Sequence, residues 1–213
     1  MQSFIKTRDY KALELRSLYK NITLSIIIIL VGWSCSSSKS TAFDKSTSPN
    51  ALNCNVIFEG FDKGLRKERK ELGLEYFFGF TTPKLKPVLK DRDFVECTGN
   101  LTRLDKDIYL RLNIQISAPN ATATYGLIPK GNIMVIDLIE GEKIYSYSAA
   151  TSKGSYNKQT KKTVYDALYL IENVKELSSK EIDKLGIMWT SGFEEYPIYE
   201  VDFLMRQLKC LGN

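Results

Sequence analysis

Hydrophobic and polar residues alternate most regularly between positions 107 and 117. Ile108, Leu110, Leu112, Ile114 and Ile116 interleave with Tyr109, Arg111, Asn113, Gln115 and Ser117. Period two places all the apolar side chains on one face of an extended strand. Residues 94–101, with Phe94, Val95, Cys97 and Leu101, supply a partner strand, and the polar stretch 104–107 turns the chain between them. A second hairpin is predicted over 132–149. Its apolar run 133–139 is followed by Glu140-Gly141-Glu142, where glycine accepts the positive φ of a tight turn. The returning strand, 143–148, sets Tyr145 and Tyr147 on one face. Residues 164–171, 187–190 and 196–199 read as further strands, as does the aromatic stretch 75–80.

Helical spacing is rarer. Val201, Leu204, Leu208 and Leu211 form one apolar stripe, so a helix is predicted over 201–211 with Gly212 as its stop. A short helix is predicted from Ser178. Ser178 and Glu181 match a capping box, Leu177 and Ile182 a hydrophobic staple, and Gly186 an end. Thr82-Pro83 opens a further turn of helix that Pro87 should stop. The run Arg66-Lys67-Glu68-Arg69-Lys70-Glu71 reads as a solvated charged face. Strands outnumber helices and several are joined by short turns. The expected class is therefore α+β and strand-dominated: a mostly antiparallel sheet with one short and one C-terminal helix packed on it.

The first part of the chain follows neither period. Lys6, Arg8, Lys11, Arg16 and Lys20 precede an apolar run at 24–31, which closes with Gly32-Trp33-Ser34-Cys35 and a serine-rich stretch. A basic segment, a short apolar core and small residues before a cut site make a secretory signal. The core falls well short of the about 20 residues that span a bilayer. Val31-Gly32-Trp33-Ser34-Cys35 resembles the lipobox of bacterial lipoprotein precursors. In that family the cysteine is acylated and becomes the mature N-terminus. The resemblance implies a signal peptide over 1–34, a lipidated Cys35 with a Ser/Thr-rich tether over 35–53, and a single globular β-rich domain over 54–213. It also implies a bacterial cell-envelope protein held to the membrane by its lipid. Ser36, standing where aspartate would retain the chain at the inner membrane, resembles the outer-membrane sorting preference, with the domain facing the periplasm.

Composition adjusts this picture in three places. At 213 residues and 43% hydrophobic, the chain has room for one core. The formal charge of +5 is concentrated at the start: residues 1–34 hold 5 of the 30 basic and 2 of the 25 acidic residues. Without them the balance is nearly neutral, so no nucleic-acid partner is expected. Histidine is absent, which removes Ser-His-Asp triads, Cys-His pairs and His-ligated metals.

The remaining chemistry is sparse. No glycine-rich phosphate loop and no G-x-S-x-G elbow occurs. Ser155 and Lys158 stand at S-x-x-K spacing in a polar loop, without the motifs that accompany it in penicillin-interacting enzymes. Glu194 and Glu195 are adjacent, so on a strand they point to opposite faces. Asp137 interrupts an apolar strand, and its burial decides its interest. Hence no catalytic residue, metal or cofactor is expected. Besides Cys35, three cysteines remain, enough for one disulfide. The expected pair is Cys97 with Cys210, with Cys54 open to either partner. The loop 151–162 carries Lys153, Lys158, Lys161 and Lys162 around Tyr156, and Tyr145 and Tyr147 lie on a neighbouring strand. Tyr145, Tyr147, Lys153, Tyr156 and Lys158 are the expected ligand-binding residues, suited to a polysaccharide or an envelope protein. The expected function is non-catalytic ligand or partner binding. The alternatives are an inhibitor or immunity-type lipoprotein and, behind it, a small His-free hydrolase.

Overall fold

The computed structural model describes residues 53–90 and 92–212. The expectations placed on the signal segment, on Cys35 and on all but the last residue of the tether lie outside the described residues. The chain opens with β1 (Val56–Asp62), β2 (Lys67–Leu72) and β3 (Glu75–Phe80), then a turn of helix, α1 (Lys86–Leu89). Next come β4 (Val95–Leu104), β5 (Asp107–Ile116), α2 (Ala121–Tyr125), β6 (Leu127–Ile128), β7 (Ile133–Leu138) and β8 (Lys143–Ser148). It ends with β9 (Ser152–Lys153), β10 (Ser155–Asn157), β11 (Lys162–Ile171), α3 (Val174–Leu177), β12 (Ile182–Trp189), β13 (Gly192–Pro197) and α4 (Phe203–Leu211).

The main sheet runs β1-β2-β4-β5-β11-β8-β7-β12-β13, with β3 beside the other half of β4, β10 on β11, and every pairing antiparallel. The strand-dominated α+β expectation holds. β5 shows why. Its apolar positions meet apolar positions on both neighbours: Ile114 lies between Cys97 on β4 and Tyr165 on β11, and Leu110 between Leu101 and Tyr169. All six are shut away from solvent. Strand β3, beside β4, approaches the end strand β13, with Phe78 stacked on Tyr196 at 4.9 Å, so the sheet curls around this apolar interior. Helix α4 buries Phe203, Leu204, Leu208 and Leu211, and Phe203 stacks on Phe77 at 4.3 Å. Its one buried polar side chain, Gln207, accepts from the Leu101 N–H at 3.0 Å and donates to Glu75 at 2.8 Å. Trp189, Tyr165 and Tyr125 pack together inside the curl. Burying each large side chain of this kind contributes roughly 1.5–3 kcal/mol.

Four local expectations are corrected. No helix runs from Ser178 to Gly186. The short helix is α3, and Ser178 and Ser179 end it by donating to the Lys175 carbonyl at 2.8 and 3.2 Å. Ile182 opens β12, where a bulge between Ile182 and Lys184 breaks the alternation that Leu185, Ile187 and Trp189 then restore. Pro87 sits in the first turn of α1 instead of stopping a helix, because a first-turn residue needs no N–H partner. The charged run at 66–71 is mostly β2, paired on both sides, and its Glu71 is buried. The disulfide joins Cys54 to Cys210, with Cα atoms 5.4 Å apart, and not Cys97 to Cys210. Cys97 is an inward position of β4 and completely buried, and burial pushes its thiol pKa well up. Cys54 and Cys210 lie just before β1 and in the last turn of α4, so the bond pins the start of the domain to its end.

Candidate functional site

Outward positions on β2, β4, β5 and β11, together with the β1–β2 turn, enclose a groove of about 340 Å³. Its floor is Thr102, Leu104, Tyr109 and Leu168, with Leu65 at the rim. Arg69 and Glu71 form one wall, and Arg111 and Asp166 the other. The register brings them together: Glu71 faces Thr102, Thr102 faces Tyr109, and Arg111 faces Leu168.

The two walls differ. Arg69 donates to Asp62 at 2.8 Å, pairs with Glu71, and lies 5.1 Å from the centre of the Phe58 ring. Glu71 is only 6% exposed, so this wall is fixed. Asp62 accepts from the backbone N–H groups of Leu65 and Gly64 at 3.0 and 2.9 Å. The Leu65 bond first, and then Arg69, hold its carboxyl below the usual range. On the other wall Arg111 grips Asp166 with both arms of its fork, at 2.7 and 2.5 Å. That bond raises the Arg111 pKa. Both of these side chains remain nearly half exposed, at 44% and 48%. An exposed pair contributes about 0–1 kcal/mol, so Arg111 can trade Asp166 for another carboxylate at little cost. The groove therefore has an apolar floor, balanced charge, one rigid wall and one exchangeable wall.

The five residues singled out from the sequence do not converge. Tyr145 and Tyr147 project from the outer face of β8, half exposed. Tyr156 faces Thr163, which points to the core side, whereas Tyr147 faces Leu170 on the outer side. Thr163 and Leu170 are also separated by roughly 23 Å along β11. Lys153 pairs with Leu127 in the small β6–β9 ladder, and Lys158 lies in the exposed turn after β10. Only the Tyr145–Tyr147 pair forms a surface. Tyr165 and Tyr169, on the adjacent strand β11, are in the core. Asp137 is largely covered and accepts from Lys143 Nζ at 3.2 Å. Glu194 faces Ile187 and Glu195 faces Gly186, so the two diverge as alternation demands.

Among the described residues no group of three acidic or cysteine side chains is placed to hold a metal, and no helix is long and apolar enough to cross a membrane. No protein-family model, curated protein or solved structure matches the chain, so the groove is interpreted from its own residues.

Arg69, Glu71, Arg111 and Asp166 were not singled out from the sequence. The usable signal was weak. Arg111 is an outward position of the most regular strand, and Glu71 directly precedes the apolar Leu72. Pairing Arg111 with Asp166 requires knowing that β5 and β11 are neighbours.

Proposed function

We propose that the chain is a lipid-anchored cell-envelope protein whose β-rich domain binds a partner protein in the Arg69–Arg111 groove and catalyses no reaction. The groove itself carries this reading: an apolar floor between two Arg–carboxylate walls, one of them exchangeable. An apolar side chain of the partner displaces water from Leu104, Tyr109 and Leu168. A neighbouring carboxylate takes Arg111 in bidentate geometry while Asp166 is released to solvent or to a cation. The lipobox-like segment ending at Cys35 supports tethering, and the sorting residue Ser36 supports the outer membrane, facing the periplasm. The Cys54–Cys210 bond supports an oxidising compartment, where such bonds persist.

The test is photo-crosslinking in intact cells, with a photoreactive residue at position 168 of the full chain. A discrete protein adduct is expected, lost with Arg111→Ala and retained with Lys158→Ala. Absence of an adduct, or one indifferent to Arg111, contradicts the reading.

A further inference from the structure

A second surface lies on the outer side of the same sheet, over β8, β7, β12 and β13. Here the register aligns outward residues in rows. Tyr145 faces Val135, Val135 faces Gly186, and Gly186 faces Glu195. One step along, Tyr147 faces Ile133, and Met188 faces Phe193. On the other side of the Tyr145 row, Lys143, Asp137 and Lys184 form a charged border.

Phe193 does not stay in its own row. A Cβ at Gly186 would fall 2.1 Å from the Phe193 Cζ, so the ring lies over the glycine, and only a residue without a side chain permits it. The consequence reaches the next strand. Val135 points outward but is only 8% exposed, screened within the patch. Tyr145, Tyr147 and Phe193 themselves remain 51%, 50% and 44% exposed. Three large aromatic side chains thus stand about half exposed on the outer sheet face, edged by ammonium and carboxylate groups.

We propose that this face is a carbohydrate-binding platform, on which Tyr145, Tyr147 and Phe193 stack against successive sugar rings of an envelope polysaccharide. Size selects this occupant. Three aromatic side chains of about 150–250 Å² each, roughly half exposed, offer on the order of 300 Å² of accessible surface. A stable protein interface needs about 800 Å² on each side. A short run of sugars needs no more than the patch provides. The chemistry agrees. The C–H faces of a pyranose ring are weakly positive and pack on the negative faces of aromatic rings. Hydroxyls at the ring edge can accept from Lys143 and Lys184 and donate to the exposed Glu195. This platform is separate from the groove and does not depend on it.

The test uses the full chain extracted in detergent, with two probes: co-sedimentation with purified peptidoglycan sacculi, and titration of tyrosine fluorescence with chitohexaose. Binding to at least one probe is expected. Tyr145→Ala with Tyr147→Ala should weaken it about tenfold or more, the loss of two stacking faces. Tyr145→Phe with Tyr147→Phe keeps the ring faces and should keep most of the affinity. Gly186→Ala, which lifts the Phe193 ring, should weaken binding from the other end of the patch, with the unfolding temperature checking that the fold persists. Arg111→Ala should leave it unchanged. The proposal is overturned if the unmodified chain binds neither probe or if the alanine pair binds as well as the original. It is also overturned if the alanine pair acts only by changing the oligomeric state.

Discussion

In the curled body, from β4 round to β13, most inward positions are apolar and buried, Ser146, Ser148 and Thr163 being polar exceptions, and aromatic side chains such as Trp189, Tyr196 and Phe203 fill the interior. In the β1–β2 hairpin, Val56, Ile57, Phe58 and Phe61 stay exposed, and Leu72 at the end of β2 is the apolar side chain that reaches the core. Polar pins hold the hairpin instead. Asn100 donates to the Leu72 carbonyl at 2.7 Å, Glu68 and Asp105 exchange backbone and carboxylate bonds, and Arg69 bridges Asp62 and Glu71. The Cys54–Cys210 bond closes the arrangement. The groove lies where these two regions meet. Burial sets the body, and charge and oxidation set the hairpin, so the two should respond to different perturbations.

The largest effect should come from the body. Trp189→Ala leaves a cavity beside Tyr165 and Tyr125 and should cost about 3–5 kcal/mol, read from chemical denaturation. Cys54→Ser should cost about 2–4 kcal/mol, and it should act unevenly. Hydrogen exchange should quicken in β1 and at the end of α4 while β5 and β11 keep their protection. Uniform loosening would contradict the division drawn here. Glu71→Gln takes the charge from the buried wall beside Arg69 and should cost about 1–3 kcal/mol. Arg111→Ala removes only an exposed pair and should shift stability by less than about 1 kcal/mol, although under the proposed function it should abolish partner capture.

Acid and alkali should separate the regions as well. The folded pKa of Asp62 lies below its ordinary 3.8, so its stabilisation is present above that pH and is lost as pH falls through the folded value. The hairpin turn should loosen first in acid, an effect that Asp62→Asn removes. Burial raises the Tyr169 and Tyr196 phenols above their ordinary 10.0. Their neutral forms therefore stabilise the body below pH 10, and that contribution declines as alkali ionises the unfolded chain. Circular dichroism across pH, with exchange rates for β1 and β11, reads both.

The body was legible in the sequence because one buried face imposes strict alternation. β5, the β4–β5 turn and the β7–β8 hairpin needed nothing more. Where alternation breaks, sequence reading failed for a physical reason. The bulge at Ile182 imitates the spacing of a helix start, and β2 carries charges inside a sheet because Lys67, Arg69, Lys70 and Glu71 are each paired with an opposite charge while Glu68 is exposed. The cysteine pairing depends on the path of α4 back to the start of the domain, which no local pattern encodes. The Tyr145–Tyr147 surface was found from alternation alone. Its third aromatic, Phe193, joins only because Gly186 on the adjacent strand makes room. The groove needed the register of four strands, two of them, β5 and β11, joined by no local turn.

The tether is the part of the account on which the setting of both surfaces depends. Intact-mass analysis of the protein extracted from membranes tests it directly. The predicted result is a chain beginning at Cys35, carrying acyl mass on that residue and lacking two hydrogens for the Cys54–Cys210 bond. A chain beginning at Met1, or an unmodified Cys35 on a protein recovered from the soluble fraction, would contradict it.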